Sequence, residues 1–305
     1  MAGRGQVRAT TGLVWNGVVA KPKDKSGDWG LAARWRPEWL DGTMGLYYRE
    51  YTSKKPHFIV DTATATAGLN AAYDYREKLY GISLAKQMFG ISFGTDVTYR
   101  PDATLNTMPF TEATGPASSW APRGDLYTGT FNMIALDAKR AIGDFTVWDS
   151  AALTAEISYA GLRKFTRNAQ NANSKRNCLN GGTTPTTAAF VIAALNGTTY
   201  GCFTGESYGL SFLFEPKWFQ VWSGVDVTMP IFFSEGLKGN SPATFGDNEH
   251  QGSYSIGLTA DVNAKYNFAL KFNAPIYKAV GNKSNAVLGD NRNQAWLSFT
   301  AKATW

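Results

Sequence analysis

The sequence predicts an all-β fold, an antiparallel transmembrane β-barrel of about twelve strands, and three observations carry that prediction. Apolar and polar residues alternate with a period of two through most of the chain, whereas a helical period is nowhere sustained. Aromatic residues make up 14% of the chain and charged residues only 18%, against about 25% charged in an ordinary soluble domain. Short turns alternate with long loops along the sequence, the asymmetry of barrels that have one side in the periplasm and the other outside the cell.

The strands follow in order. "WGLAARW" (Trp29 to Trp35), "MGLYYREY" (Met44 to Tyr51) and "YGISLAK" (Tyr80 to Lys86) come first. "FGISFGTDVTY" then sets Phe89, Ile91, Phe93, Val97 and Tyr99 against Gly90, Ser92, Gly94, Asp96 and Thr98. "AALTAEISY" sets Leu153, Ala155, Ile157 and Tyr159 against Thr154, Glu156 and Ser158. "YGLSFLFEP" and "FQVWSGVDVTM" repeat the pattern on either side of an expected turn at Pro216-Lys217-Trp218. "GSYSIGLTADVN" and "YNFALKFNA" form a hairpin about Asn263-Ala264-Lys265, and "LSFTAKATW" ends the chain. A further short turn is expected at Lys86-Gln87. The long loops are expected over Pro101 to Arg123, Leu162 to Gly205, Pro230 to Gln251 and Pro275 to Arg292. One domain, residues 1–305, accounts for the whole pattern.

The composition of the second face separates a barrel from a soluble sandwich, whose outer face is rich in Lys, Glu and Thr. Here that face is Gly, Ser, Thr and Ala with single charges: Arg34, Arg49, Asp96, Glu156, Glu215, Asp226, Asp261, Lys271 and Lys302. These nine are the candidates for a wet lumen, where they either select a solute or pair with one another, as buried charges require. The apolar faces end in aromatics, Tyr99, Tyr159, Phe219, Tyr254, Tyr266 and Trp305, as interfacial girdles do. The terminal aromatic Trp305 resembles the signal that outer-membrane barrels present to their assembly machinery.

The net charge of +6 is scattered, and its densest cluster, "RNAQNANSKRN" (Arg167 to Asn177), is an Asn-rich loop, so no nucleic-acid partner is expected. Cys178 and Cys202 are the only cysteines, which allows a single disulfide in an oxidising compartment. Closing a loop of roughly 25 residues contributes about 3 kcal/mol in the chain-entropy model; the alternative is two unpaired thiols. Inside that loop "AAFVIAAL" (Ala188 to Leu195) is the longest apolar run, too short for a spanning helix. It either covers a mouth or packs on the rim. The amino terminus lacks the apolar core of a signal peptide, so export is expected to use a leader since removed, or the chain to begin inside a longer gene product.

No Gly-rich phosphate loop, zinc-ligand spacing or nucleotide fingerprint is present, and neither a cofactor nor catalysis is expected. The competing enzymatic reading is an outer-membrane hydrolase using His57 or His250, and the group His250, Glu249 and Asp247 is a weak candidate for metal binding. A third class is a structural or adhesive barrel with partner-binding loops.

"YREKLYGISLAKQMFGISFGTDVTYRPDATLNT" (Tyr75 to Thr107) resembles the family known as domain of unknown function 1302, outer-membrane proteins of Gram-negative bacteria. "SGDWGLAARWRPEWLDGTMGLYYREY", "WDSAALTAEISYAGL" and the carboxy-terminal hairpin are similar to segments of that family in the same order. The resemblance covers most of the chain, as the carboxy-terminal portion of a member. It implies an outer-membrane barrel in contact with outer-membrane lipids, which exports or takes up hydrophobic compounds. A barrel cut short in this way is expected to leave an open sheet edge.

Overall fold

The computed structural model describes residues 27–53, 56–61, 68–73, 76–106, 111–112, 121–143, 147–175, 202–242, 248–277 and 294–304. The strands are β1 (Trp29–Trp35), β2 (Gly42–Thr52), β3 (Pro56–Asp61), β4 (Gly68–Tyr73), β5 (Arg76–Met88), β6 (Ile91–Thr104), β7 (Thr111–Glu112) and β8 (Arg123–Ala135). They continue with β9 (Ser150–Arg167), β10 (Glu206–Trp222), β11 (Val225–Thr228), β12 (Ile231–Lys238), β13 (Gln251–Val262), β14 (Tyr266–Tyr277) and β15 (Trp296–Ala303). The helical elements given whole by the described residues are α1 (Lys139–Ile142) and one 3₁₀ turn, Ala169–Asn171. No described helix is long and apolar enough to cross a membrane, which leaves spanning by strands untouched.

Twelve of the strands form one antiparallel sheet in the order β1-β2-β5-β6-β8-β9-β10-β11-β13-β14-β15, with β12 continuing the line of β11 between β10 and β13. The all-β, antiparallel expectation therefore holds. A small sheet, β4-β3-β7, is inserted between neighbours of the large one. The strands are long, up to 18 residues in β9, at a rise of about 3.3 Å per residue.

Several sequence boundaries move. Pro216 to Trp218 is not a turn: it lies inside β10, and the chain reverses at Ser223-Gly224 instead. Proline lacks an N–H, so it reads as punctuation. The reversal expected at Lys86-Gln87 falls at Phe89-Gly90, both at positive φ (56° and 77°), the backbone of a two-residue hairpin turn of type I′. β8 takes the last residue of the loop expected over Pro101 to Arg123, and β12 lies within the one expected from Pro230. The hairpin at Asn263 to Lys265 stands as read, with Asn263 and Ala264 at φ 53° and 52°.

Connections between large-sheet neighbours fall into two sets. At one end β5 turns into β6, β10 into β11 and β13 into β14 within two or three residues, with the longer connections 36–41 and 136–149 beside them. At the opposite end lie the long ones, 53–75, 105–122, 168–205, 239–250 and 278–295. These are the long-loop end and the short-turn end below.

Candidate functional site

The register assigns each residue to a face, because successive side chains of a strand point to opposite sides. One face reads, from β1 to β15, Leu31, Leu46, Ile82, Val97, Phe131, Ile157, Leu210, Phe233, Ile256, Phe272 and Leu297, directly paired or offset by one pleat. This row is apolar and lies largely open, and the charged residues that share its face, Glu50, Lys78, Lys86, Glu206 and Glu235, stand toward the strand ends. Leu31 is 68% exposed, Ile82 56%, Leu258 53% and Phe299 67%. Much of what the sheet buries is small or polar, such as Gly45, Gly81, Gly257, Ser207 and Ser255, with Ile91 and Leu126 as buried large apolar side chains. In water this distribution is inverted, since burial of apolar surface drives folding.

An aromatic ladder crosses this face near the long-loop end. Trp29, Tyr48, Tyr80, Tyr99 and Tyr127 follow one another on adjacent strands with ring centroids 5.1, 5.1, 6.4 and 4.7 Å apart. Tyr159 and Tyr208 continue it at 5.2 Å. Trp35, Trp222 and Tyr266 are exposed toward the short-turn end. Of the predicted girdle residues, Tyr99, Tyr159, Tyr254 and Tyr266 lie on the apolar face. Phe219 follows the irregular pairing after Trp218 and is 48% exposed. Trp305 lies outside the described residues.

All nine charged candidates have the parity of the other face. Arg34 is opposite Gly45 and Arg49 opposite Gly30. Asp96 stands between Ser83 and Thr130, and Glu156 between Asn132 and Ser211. Glu215 faces Ala152, Lys271 lies between Gly257 and Ser298, and Lys302 faces Asn267. Small neighbours leave room around each charge. Among the described residues Asp96, Glu156 and Lys271 form no ion pair, and Asp226 alone of the nine has a charged partner. Arg, Asp and Lys here remain in contact with solvent, and solvation removes the need for a partner.

Three of the nine converge at the short-turn end. Asp226 and Asp261 are direct cross-strand partners, an arrangement that like charges disfavour. It is relieved by Lys217 Nζ, 3.5 Å from Asp226, and by Asn267 Nδ2, which donates to Asp261 at 2.6 Å. Gln220 N also donates to Asp226 at 2.9 Å. Together with Lys302 these groups line a cavity of about 630 Å³. Its walls offer cations and carboxylates within one solute length, chemistry that orients a polar headgroup without committing to one sign of charge.

The long-loop end holds a second polar cluster that sequence reasoning passed over. Arg123, buried, donates from Nη1 to Asp102 Oδ2 at 2.9 Å and to the Asp102 carbonyl at 3.1 Å. Asp102 also accepts from Thr166 and stands 3.7 Å from Arg167. Glu77, buried, accepts from Tyr51 at 2.9 Å and from the Thr104 amide at 3.0 Å. The signal lay in acidic residues spaced at strand ends, which read as loop charges without the register. Beside this cluster Leu105, Ala172 and Phe203 form a buried group with Leu162 packed against it. Main-chain bonds from Asn173 to Asn106, Phe203 to Asn173 and Thr204 to Asn240 join three long connections there.

Cys202, next to Phe203 in the chain, is buried; Cys178 and the apolar run 188–195 lie outside the described residues, as does Asp247. His57 falls in β3, far in sequence and sheet from His250. His250 Nδ1 is 3.1 Å from Glu235 and its Nε2 3.7 Å from Glu249. No group of three metal-ligating side chains occurs among the described residues.

No curated protein matches the chain. With an uninterrupted apolar face, a sparse polar face and a strand order that follows the expected segments, the family model described as protein of unknown function (DUF1302) matches residues 9–302, nearly the whole length, and the chain belongs to that family.

Proposed function

We propose that this chain forms the wall of a bacterial outer-membrane β-barrel whose polar face lines a passage or binding site for a hydrophobic or amphipathic small molecule or lipid. The observation that carries the reading is the exposed apolar face, unbroken from Leu31 in β1 to Leu297 and Phe299 in β15. Lipid chains are the solvent in which such a face is stable, and strands whose backbone groups are paired in a ladder are one of the two structures that cross it. The tyrosine ladder then sits at the headgroup level on the long-loop side, and the short turns face the periplasm. The small, singly charged polar face suits a wet interior that passes a solute. Outer-membrane lipids and, through the last strand, the barrel assembly machinery are its partners in this reading. The Cys178–Cys202 disulfide belongs to it as an external staple. Alkylation of the denatured, unreduced chain is expected to find no reactive thiol.

The test is reconstitution of the purified chain into proteoliposomes, with a fluorescent amphiphile trapped inside. Efflux above that of protein-free vesicles, together with faster gel migration before boiling than after it, is the expected result. A compact, heat-shifted species without efflux would remove the passage and leave a structural or adhesive wall. A chain that stays in the aqueous phase without detergent would remove the membrane reading itself.

A further inference from the structure

The two outermost strands of the large sheet carry bare edges, and their directions limit what can cover them. Among the described residues β1 pairs with β2 alone and β15 with β14 alone. Exposure agrees: Leu31 and Phe299 are 68% and 67% exposed, whereas Ile256 and Phe272, flanked on both sides, are 48% and 39%. With β11 and β12 taken as one interrupted strand, the sheet has eleven rungs that alternate in direction. The first and the last therefore run the same way, from the long-loop end to the short-turn end.

Joined directly, β1 and β15 would make a parallel pair, whereas single-chain bacterial outer-membrane barrels have an even number of antiparallel strands. A second copy inserted in the same orientation meets the same obstacle, since its β15 is also parallel to β1. Two β1 edges related by a two-fold axis are antiparallel, but that axis lies in the membrane plane and turns one copy upside down. What fits the edge is an extended segment running the opposite way. Its apolar side must continue the face of Trp29, Leu31 and Trp35, and its small or polar side that of Gly30, Ala32 and Arg34.

We infer that the edge of β1 is an interaction surface for the stretch of this chain that precedes it, residues 7–20, laid antiparallel along it. The sequence of that stretch carries most of the required alternation: Val7, Ala9, Leu13, Trp15 and Val19 share one parity with Thr11 and Gly17, and Arg8, Thr10, Gly12, Asn16 and Ala20 share the other with Val14 and Val18. Residues 21–28, "KPKDKSGD", have the composition of a surface loop and enter β1 at its long-loop end. The family match, which begins at residue 9, takes in nearly all of the stretch. Its addition makes twelve rungs and presents to β15 a strand of opposite sense. The inference rests on the membrane reading above, which fixes the orientation of every copy.

The test places a photoreactive phenylalanine analogue at Ala33, and separately at Leu31, in the full-length chain inserted in outer membranes, and identifies the cross-linked peptide by mass spectrometry. Cross-links from both positions to residues 7–20, moving toward the amino terminus as the probe moves from residue 31 to 33, are expected. Cross-links to β15, to a different polypeptide, or to no peptide in chains that resist extraction by urea overturn the inference. A chain that urea extracts yet still cross-links to residues 7–20 overturns the membrane reading and leaves the edge pairing standing.

Discussion

The two faces of the large sheet are built by the same strands and obey opposite rules. On one, Leu, Ile, Val, Phe and Tyr stand exposed in an unbroken field; on the other, glycine, serine and threonine surround isolated charges with few partners. The buried apolar cluster of an ordinary domain is reduced to a small group at the long-loop end. Most of the fold's apolar residues therefore stabilise it only if something outside the chain covers them. The polar face makes the opposite demand, for room and water.

A charge placed on either face separates these demands, and the largest effect is expected there. Leu258→Arg, near the middle of β13, is expected to cost about 2–4 kcal/mol of folding stability in a bilayer, whereas Thr259→Arg, one residue on, changes it by about 0.5 kcal/mol or less. Urea titration of the reconstituted protein reads both. Equal costs would mean that the two faces see the same solvent.

Aromatic contacts give the next effect. Tyr80 has ring neighbours on both sides, at 5.1 and 6.4 Å, so Tyr80→Ala is expected to lose about 1–2 kcal/mol. On the polar face Tyr47 is hydrogen-bonded to Ser83 at 3.0 Å, and Tyr47→Phe is expected to lose about 0.5–1 kcal/mol. The reverse order would mean that the polar face carries the stability. Lys217→Met removes a part-exposed ion pair with Asp226 and is expected to cost less than about 1 kcal/mol, with the difference shrinking in high salt.

The smallest change in stability is paired with a test of the proposed passage. Glu156 and Lys271 make no ion pair among the described residues, so Glu156→Gln and Lys271→Gln are each expected to leave stability within about 0.5 kcal/mol. They are also expected to shift the preference of flux between cationic and anionic amphiphiles in opposite directions. Unchanged preference in both would detach these charges from any passage.

Period-two alternation was legible in the sequence because each strand has one apolar side and no helix competes for it. β1 was readable to the residue for that reason, and the shared parity of the nine charges followed from it. Elsewhere local chemistry misled. Gly129 breaks the apolar side of β8 between Tyr127 and Phe131, and Phe232 puts an aromatic on the polar side of β12, so that its opening reads as a continuous apolar run. β12 falls inside an expected loop, and β8 beyond Arg123 falls in a stretch that reads as neither strand nor loop. The cluster around Arg123 was hidden for another reason: Asp102 and Glu77 come from different strands, and only the register brings each to its partner.

The interruption between β11 and β12 carries one further consequence. Pro216 lies in β10 and Pro230 at the break beside it, so two neighbouring rungs lack an N–H at the same height. The amides of Met229 and Gly257 donate to the two proline carbonyls at 3.0 and 2.9 Å, and Gly257 leaves space for the Pro230 ring, whose Cγ would stand 3.1 Å from an added Cβ. The ladder is interrupted along this line. Amide hydrogens bordering it are expected to exchange with solvent deuterium sooner than those at equal depth in β5 or β6, so that the sheet first opens at its middle and not at its rim.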